Sequence, residues 1–541
     1  MAKSEASQQK TPVFVRDATG LTKQISGLDA LGMVLSAMGL LYVFNAVALF
    51  PAIYPAANPI VTTFVGLLLI LPFAGMYILL SLGMPRAGGD YVWVSRVFHP
   101  SSGFIINFTI TVLSLSFIGS VAPWITQWAI SPMFYDLYLV NHNASYLSLA
   151  MYLSGDTPTL LLSIFFILVA GVIAIVSSKL ASRIVRYWTF LALIIGAVFV
   201  VVALSAGQST FASNFNSYSG SNLTYDQIIS AGQSIGAYNG IPSVFSFATL
   251  YAGALGLLGY LGFFYSAYFS SEIRQNRRSQ ILAQFGGCVI FGVFVTIIFV
   301  AEYLGEGPKF VQSIALLWYN GSVKFPFFFP PMGSTLSVFW TQNPALIVLF
   351  NLAFAMTILA MDISILFTMS RSLFAWSFDR LLPSTFASVN NRTGTPLNAI
   401  LVLTGVAVVY AYLAIYVYGL LASVFSYGTA GIFIAFLFVS LAAIFYPYRR
   451  KDIFSLSEPA AKMKIGGIPL VSILGGISFV LSIVIVYAII LPSIGVGFGA
   501  ILLEGIIPTF IIGGVIYGIV FFVRRRQGID LSLVGREIPP E

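Results

Sequence analysis

The chain has 541 residues, of which 58% are hydrophobic, 15% aromatic and only 8% charged. A soluble domain carries roughly 25% charged residues, so this chain lacks the polar surface that a soluble enzyme of its size requires. The net charge of +8 does not alter that conclusion, and the composition also excludes a disordered or nucleic-acid-binding protein. One cysteine excludes a disulfide framework and a cysteine-based metal cluster, and two histidines outside the apolar runs exclude paired haem ligands within a membrane. A polytopic membrane protein remains.

Twelve apolar runs are long enough to cross the hydrocarbon core of a bilayer, which takes about 20 residues of helix. The predicted fold class is therefore all-α, with twelve transmembrane helices. The predicted spans are 30–55, 59–82, 101–130, 159–177, 184–206, 243–269, 281–301, 343–369, 397–418, 420–446, 469–493 and 505–523. The first 28 residues are polar, so we expect no cleavable signal peptide and expect the first span to act as the targeting signal.

The basic residues are distributed very unevenly among the connections. Of the 26 lysines and arginines, 24 fall in the two tails and in every second connection, and only Lys309 and Lys324 fall in the others. Because cytoplasmic loops carry the excess of lysine and arginine, both termini are predicted to be cytoplasmic. The larger connections, 131–158, 207–242 and 302–342, are then predicted to be outer loops.

Spans one and six are the two candidates for interrupted helices. Span one carries Ser36, Ala37, Met38 and Gly39, and span six carries Gly253, Gly256, Gly259 and Gly262. A glycine costs a helix about 1 kcal/mol relative to alanine and allows backbone groups to leave the helical pattern. Transporters often bind their substrate where two discontinuous helices meet near the midplane. The alternative is that these small residues only allow tight helix packing, and the pattern leaves both interpretations open.

Three segments resemble one family of transporters. They are Met84-Pro85-Arg86-Ala87-Gly88-Gly89-Asp90-Tyr91 between spans two and three, Ser370-Arg371-Ser372-Leu373-Phe374-Ala375-Trp376 with Asp379-Arg380-Leu381-Leu382-Pro383 and Thr393-Gly394-Thr395-Pro396 between spans eight and nine, and Tyr260-Leu261-Gly262-Phe263 with Glu272-Ile273-Arg274 in span six. In order and spacing they are similar to motifs of the amino acid–polyamine–organocation transporters. The similarity covers about residues 25–450.

The resemblance implies two inverted repeats of five helices, followed by two peripheral spans. The predicted organisation is a cytoplasmic tail at 1–28, a first repeat at 29–206, a second repeat at 243–446, peripheral spans at 469–523 and a cytoplasmic tail at 524–541.

The resemblance also implies how a substrate is held. Its carboxylate is met by backbone N–H groups of span one and its ammonium group by carbonyls of span six, which agrees with the partial charges at the ends of half-helices. The matching positions are Ser36, Ala37, Met38 and Gly39 in span one, and Gly259, Tyr260, Gly262 and Phe263 in span six.

Three positions depart from the family pattern. The Gly-x-Gly signature of span one is replaced by Ser36-Ala37-Met38-Gly39. The acidic residue that often follows Gly-Phe in span six is Phe264 here, which favours neutral or apolar substrates over cationic ones. The span-five lysine that replaces a coupling ion in some proton-coupled members matches Ala192.

Asp362 is the charged residue deepest within a predicted span. A charge at the bilayer centre costs at least about 2.5–3.5 kcal/mol, so an intramembrane acid is a functional hypothesis by default. Asp362 is predicted to couple transport to an ion, either as a proton acceptor or as a Na⁺ ligand beside Ser364. The alternative is a protonated aspartate that ties span eight to span one. Three further acids are expected to be solvated at the outer edge: Glu302, Glu306 and Glu504.

The cytoplasmic loops suggest a gate. Arg86, Arg96 and Arg371 offer fixed charges, and Asp379 offers a partner. The alternative is that the arginines only enforce topology. Span three carries Asn107, Thr111 and Ser114 on one helical face, which either lines the pathway or bonds a neighbouring helix.

The predicted function is secondary active import of amino acids, neutral or apolar, across the cell membrane, coupled to H⁺ or Na⁺ and without a cofactor or a resident metal. The expected partners are the amino acid and the lipid bilayer. An amino acid exchanger or facilitator without ion coupling is the closest alternative. A membrane-embedded enzyme is a remote one, because no HExxH motif, paired histidines or acidic cluster is present.

Overall fold

The computed structural model describes residues 20–40, 50–54, 56–218, 223–390, 393–417, 424–490 and 499–535. Most of the N-terminal tail, residues 41–49 of the predicted first span, the start of the predicted tenth span and the last six residues lie outside these ranges, and so does the side chain of Glu504.

The described chain is almost entirely helical. Its α-helices are α1 (Gly27–Ala37), α2 (Phe50–Ile53), α3 (Pro59–Gly83), α4 (Asp90–Val97), α5 (Pro100–Trp124), α6 (Ser131–Asn141), α7 (Ala144–Leu153), α8 (Asp156–Val176), α9 (Ser178–Tyr218), α10 (Tyr225–Ser234), α11 (Phe247–Gly256), α12 (Tyr265–Tyr268), α13 (Asn276–Gln280), α14 (Gly287–Glu306), α15 (Pro308–Tyr319), α16 (Gly333–Leu336), α17 (Pro344–Phe378), α18 (Leu397–Tyr416), α19 (Val424–Arg449), α20 (Lys451–Leu456), α21 (Leu470–Ile490) and α22 (Gly499–Arg526). Two π-helical segments, Ile125–Ile130 and Ile281–Gly286, join α5 to α6 and α13 to α14. Short 3₁₀ turns lie at Leu257–Tyr260, Ser270–Glu272, Ser337–Phe339, Ser384–Phe386, Pro459–Lys462 and Leu531–Gly535. One small antiparallel hairpin pairs β1 (Lys464–Ile465) with β2 (Ile468–Pro469).

Within the described residues, ten helical stretches are long and apolar enough to cross a membrane. They match ten of the twelve predicted spans, so the chain is a predominantly helical, multi-pass membrane protein. The two predicted spans that fall short are one and six. The reason is that neither forms a continuous helix: α1 stops at Ala37, and α11 stops at Gly256.

Local sequence explains where several spans begin. Three of them start at a proline whose preceding residue caps the helix, namely Asn58-Pro59, His99-Pro100 and Asn343-Pro344. Proline suits the first helical position because its missing N–H would be unpaired there anyway, and the capping side chain accepts a bond from a free backbone N–H. α1 begins with a reciprocal capping box between Ser26 and Asp29.

Some predicted boundaries were wrong because the connections fold. Span three continues through its π-helical segment to Asn141, well beyond the predicted residue 130. Helix α9 extends to Tyr218 with a kink at Gly207, whose φ is +68°. The three predicted outer loops contain α6, α7, α10, α15 and α16. These helices cover the end of the bundle with a second hydrophobic core that includes Phe199, Phe211, Phe310 and Trp340.

The helices form an interior group and a peripheral group. α3, α5, α17 and α19 are largely buried, whereas α8, α9, α18, α21 and α22 expose rows of leucine, isoleucine and valine, as expected of helices that face lipid. We call the end of the bundle that carries Arg96, Arg371 and Arg450 the basic end, and the other end the opposite end.

Candidate functional site

The interruption of span one lies at the predicted residues. After Ala37, the N–H of Met38 donates to the carbonyl of Val34 at 3.0 Å and the N–H of Gly39 donates to the carbonyl of Ser36 at 2.8 Å. Gly39 has a φ of +68°, in the left-handed region that favours glycine. Ser36, Ala37, Met38 and Gly39 are all buried. Because the N–H groups of Met38 and Gly39 are already bonded within the chain, donors for a ligand have to follow Gly39, where most residues lie outside the described ranges.

The interruption of span six lies at its predicted residues as well. Beyond α11, a 3₁₀ turn ends at Tyr260, the chain turns through residues 261–264, and the four-residue helix α12 follows. Gly262 lies in this turn with a φ of +106°. The predicted substrate-binding residues of span six, namely Gly259, Tyr260, Gly262 and Phe263, all fall within this irregular stretch.

The two interruptions touch each other. A Cβ atom on Gly262 would lie 2.6 Å from the carbonyl carbon of Ala37 and 2.7 Å from its oxygen. The contact therefore requires glycine both for its backbone conformation and for the close approach. Tyr260 donates from its hydroxyl to the carbonyl of Thr63 at 2.9 Å, which fixes the turn to span two. The structure thus brings the predicted parts of spans one and six together.

The wall beside this contact is aromatic. Phe263 and Phe264 both contact Tyr77 of α3 and Phe436 of α19, with ring centroids 5.3–5.9 Å apart. Phe264 is fully buried. The position where family members often carry an acid is therefore part of an apolar cluster.

Ser364 of span eight lies at the interruption of span one. Its hydroxyl is 2.7 Å from the hydroxyl of Ser36, which also donates to the carbonyl of Met33 at 2.9 Å. One of the two predicted ion-coupling residues is therefore joined directly to a predicted substrate-binding residue.

Asp362, the other predicted ion-coupling residue, lies on the far side of the same helix. It is completely buried, and neither carboxylate oxygen has a hydrogen-bond partner among the described residues. Asp362 precedes Ser364 by two residues, which turn an α-helix by about 200°. The carboxylate of Asp362 therefore leaves the helix on a different side from Ser364, and it makes no hydrogen bond to the described residues of span one.

Helical geometry shows that Asp362 faces span three. Asn351 of α17 contacts Asp136 of α6, and Trp376 of α17 packs against Phe104 of α5 with ring centroids 5.0 Å apart. At about 100° per residue, Asp362 lies within about 20° of Asn351 and about 40° of Trp376 around the helix axis. Asp362 is also between them along the axis, and α17 packs on the π-helical segment of span three.

That segment was not foreseen from the sequence. Six residues, Ile125–Ile130, form π-helical turns directly after Pro123. Single π-helical turns within a helix are frequent at functional sites. Thr126 is completely buried, and its hydroxyl has no hydrogen-bond partner among the described residues. The feature of the sequence that could have indicated this segment is Pro123, a proline within an apolar run.

Three of the four predicted gate residues are buried in ion pairs at the basic end. Arg96 pairs with Asp379 at 2.8 Å, and the hydroxyl of Tyr91 donates to the same carboxylate at 2.7 Å. Arg371 instead binds Glu272 through two bonds of 2.8 and 2.9 Å and also donates to the hydroxyl of Ser178. Arg86 lies apart from these pairs and donates to the carbonyl of Pro85. Glu272, for which the sequence predicted no role, therefore holds span six to span eight.

A second network at the basic end was also missed. Asp90 is completely buried and accepts bonds from Asn107 at 2.7 Å and from Tyr77 at 3.2 Å. Burial raises the pKa of Asp90 to about 6, although hydrogen bonds from Tyr268, Asn107 and Tyr77 favour its charged form. Asn107 belongs to the polar face predicted in span three, and it bonds neighbouring elements rather than facing an open pathway. Thr111 and Ser114 are buried as well.

The expectation that Glu302 and Glu306 are solvated was wrong. Each is only 1% exposed, because the helices of residues 302–342 fold over the end of α14. Asp136, at the same end of the bundle, is 1% exposed. Hydropathy alone could not distinguish these acids from solvated ones, since their burial depends on how other helices fold over them.

Comparisons with known proteins agree with this architecture. A family model described as amino acid permease matches residues 25–517, which is nearly the whole chain. The branched-chain amino acid permease BcaP of Lactococcus lactis subsp. cremoris is 25% identical over 397 residues, covering 72% of this chain and 73% of the relative. These matches confirm the resemblance and identify a transporter, not an enzyme. The chain belongs to the amino acid permease family.

Proposed function

We propose that this protein is a secondary active transporter that imports neutral or apolar amino acids across the cell membrane, with H⁺ as the coupling ion and Asp362 as the proton acceptor. The observation that carries the proposal is the direct contact between the interrupted helices, Gly262 against Ala37, in a chain of the amino acid permease family. The proposal includes two inverted five-helix repeats, two peripheral spans and cytoplasmic termini, so that the basic end faces the cytoplasm.

Substrate recognition follows from the ends of the half-helices. The resemblance to the family implies that backbone N–H groups of span one meet the carboxylate, whereas the end of α11 presents carbonyls and suits an ammonium group. The aromatic cluster of Phe263, Phe264, Tyr77 and Phe436 supports an apolar side chain. A branched-chain amino acid is therefore the first substrate to test, and the bacterial relative BcaP is a branched-chain amino acid permease.

Proton coupling is supported by the environment of Asp362. An isolated carboxylate in an apolar interior is costly, and protonation removes that cost. Sodium requires several oxygen ligands, and the oxygen expected to assist, that of Ser364, lies about half a turn away around the helix. A proton needs one acceptor only. Asp362 meets that requirement.

Alternating access requires contacts that break when the bundle moves. The Arg96–Asp379 pair joins the loop after span two to the end of span eight, and the Arg371–Glu272 pair joins span eight to span six. Both pairs lie at the basic end. They support a closed cytoplasmic gate that opens when the pairs separate.

An exchanger without ion coupling is the second candidate. The observation in its favour is Ala192, at the position of the lysine that replaces a coupling ion in some proton-coupled members of the family. An exchanger moves substrate only against a counter-substrate and does not accumulate it when a proton gradient is imposed.

The test is uptake of radiolabelled leucine into proteoliposomes with an imposed proton gradient, an imposed sodium gradient or internal leucine. We expect accumulation with the proton gradient, and at least a tenfold loss of it in Asp362→Asn with leucine counterflow retained. Glu302→Gln is the matched control, since it neutralises another buried carboxylate away from the face that contacts span three. Proton-driven uptake by Asp362→Asn at the wild-type rate would remove the coupling role. Thermal shifts against the twenty amino acids test the substrate class, and the absence of any hit would contradict it.

A further inference from the structure

The interface between spans three and eight contains a second buried carboxyl group. Asp136 lies in α6, near the opposite end of the bundle, and the side-chain amide of Asn351 in α17 is 3.5 Å from one of its oxygens. Asp136 is 1% exposed and Asn351 is fully buried, with its side-chain oxygen lacking a partner among the described residues. Two polar side chains thus face each other where α6 meets α17.

Asn351 and Asp362 belong to the same line of side chains along α17. Eleven residues turn a helix by three full turns and about 20° more, and they separate the two residues by about 16 Å along the axis. No other acid lies on α17 within the described residues. The interface therefore carries one carboxyl group near the end of the bundle and one in the middle.

Thr126 is another buried polar residue of span three, ten residues before Asp136. It belongs to the π-helical segment that packs on α17, and its hydroxyl has no partner among the described residues. Pro123 has no N–H to donate, so the carbonyl four residues before it, that of Gly119, loses its usual helical donor. The hydroxyl of Thr126 can both donate and accept, and the carbonyl freed by proline can accept, which is the chemistry that a proton relay requires.

No charged side chain pairs with either carboxyl group within the described residues. Among the described residues, neither Asp136 nor Asp362 forms an ion pair, and Tyr135 is the ionisable neighbour of Asp136 on its own helix. Arg371, which pairs with Glu272 of span six, lies on α17 half a turn around from Asp362. Asp29 on α1 is paired with Arg186. The described hydrogen bond to Asp136 comes from the uncharged amide of Asn351.

We propose that the interface between spans three and eight is the route by which a proton from the outer side reaches Asp362, with Asp136 as the first acceptor and with Asn351 and Thr126 along the way. This inference rests on the proposed function, because it supplies the proton that Asp362 accepts. In each passage the carboxyl group of Asp136 loses one proton to the relay and the carboxylate of Asp362 gains one. No bond other than O–H bonds is made or broken.

The test measures initial rates of proton-driven leucine uptake in proteoliposomes, together with leucine counterflow. For Asp136→Asn and for Thr126→Val we expect proton-driven uptake to fall at least fivefold, with counterflow within twofold of the wild type. Glu302→Gln is the control, since it removes a buried acid at the same end of the bundle, outside the interface, and should leave both rates unchanged. Asp136→Glu should restore most of the lost rate.

The outcomes separate the route from the proposed function. If Asp362→Asn abolishes proton-driven uptake while Asp136→Asn and Thr126→Val keep the wild-type rate, the route is wrong and the coupling role stands. If Asp362→Asn itself keeps the wild-type rate of proton-driven uptake, the coupling role in the proposed function is wrong, and the route that leads to Asp362 is wrong with it. If Asp136→Asn does not fold, Thr126→Val decides alone, since it is nearly isosteric and removes only the hydroxyl. A rate that follows an imposed sodium gradient instead of the proton gradient would overturn both.

Discussion

The buried acids at the two ends of the bundle differ in their partners. At the basic end, Asp29, Glu272 and Asp379 each form an ion pair with an arginine. In the middle and at the opposite end, four further acids are as deeply buried, and within the described residues none of them pairs with a basic side chain: Asp136, Glu302, Glu306 and Asp362.

The difference indicates two uses of buried charge. A buried ion pair contributes little net stability but is costly to break, so it joins elements into a defined arrangement. A buried carboxyl group without a cation is stable mainly in its neutral form, so it can take up and release protons. We therefore interpret the paired acids of the basic end as contacts that join elements, and Asp136 and Asp362, which lie between spans three and eight, as the candidates for proton transfer.

The largest expected effect comes from breaking the pair between Arg371 and Glu272. Arg371→Met leaves the carboxylate of Glu272 buried without its cation and removes the bond to Ser178. We expect a loss of about 3–5 kcal/mol in the free energy of unfolding, measured by denaturation of the purified protein in detergent. The double variant Arg371→Met, Glu272→Met should recover most of this loss, because it leaves no uncompensated charge. Equal losses in the single and double variants would contradict the interpretation.

The next largest effect is expected at the contact between the interrupted helices. Gly262→Ala places a methyl group 2.6 Å from the carbonyl carbon of Ala37 and forces a φ of +106° on an alanine. We expect the free energy of unfolding to fall by about 1–3 kcal/mol and leucine uptake to fall at least tenfold.

Gly405→Ala is the matched control for that variant. Gly405 lies within α18, and a Cβ there meets nothing within 4 Å, so the change should be neutral or stabilising. If both alanine variants transported leucine at the wild-type rate, the two interruptions would not need their close contact.

Sequence reasoning succeeded where the signal is local. Apolar runs of membrane length predicted ten spans that the structure contains, and the small residues around Gly39 and Gly262 predicted where spans one and six leave the helix. Both signals depend on properties of a single segment, namely hydrophobicity over one helix and a backbone conformation that favours glycine.

Sequence reasoning failed where a residue's role depends on distant chain. Glu272 and Arg371 are 99 residues apart, and no periodicity links them. The burial of Glu302 requires the helices after it to fold back over its own helix. The direction that Asp362 faces follows from two contacts of α17 with span three, one of them through Asp136, which the sequence did not single out.

The smallest effect is expected at Asp90, which belongs neither to the acids paired with arginine nor to the four unpaired acids of the middle and the opposite end. Asp90 is buried at the basic end, yet its described contacts are hydrogen bonds from Tyr77 and Asn107 rather than an ion pair. Burial raises its pKa to about 6 in the folded protein, above its value in the unfolded chain. The folded state therefore binds this proton more tightly, so stability from Asp90 is fully present below about pH 4 and is lost as the pH rises to about 6.

Asp90→Asn removes this dependence and keeps the side chain's shape. The difference in free energy of unfolding, wild type minus variant, should fall by about 1–3 kcal/mol between pH 4 and pH 7, measured by denaturant titration at each pH. Asp452→Asn is the control of opposite sign: its bond to Arg450 lowers the pKa of Asp452, so the wild type gains relative to that variant as the pH rises. A difference for Asp90→Asn that stays constant with pH would mean that Asp90 is charged throughout, as the paired acids of the basic end are expected to be.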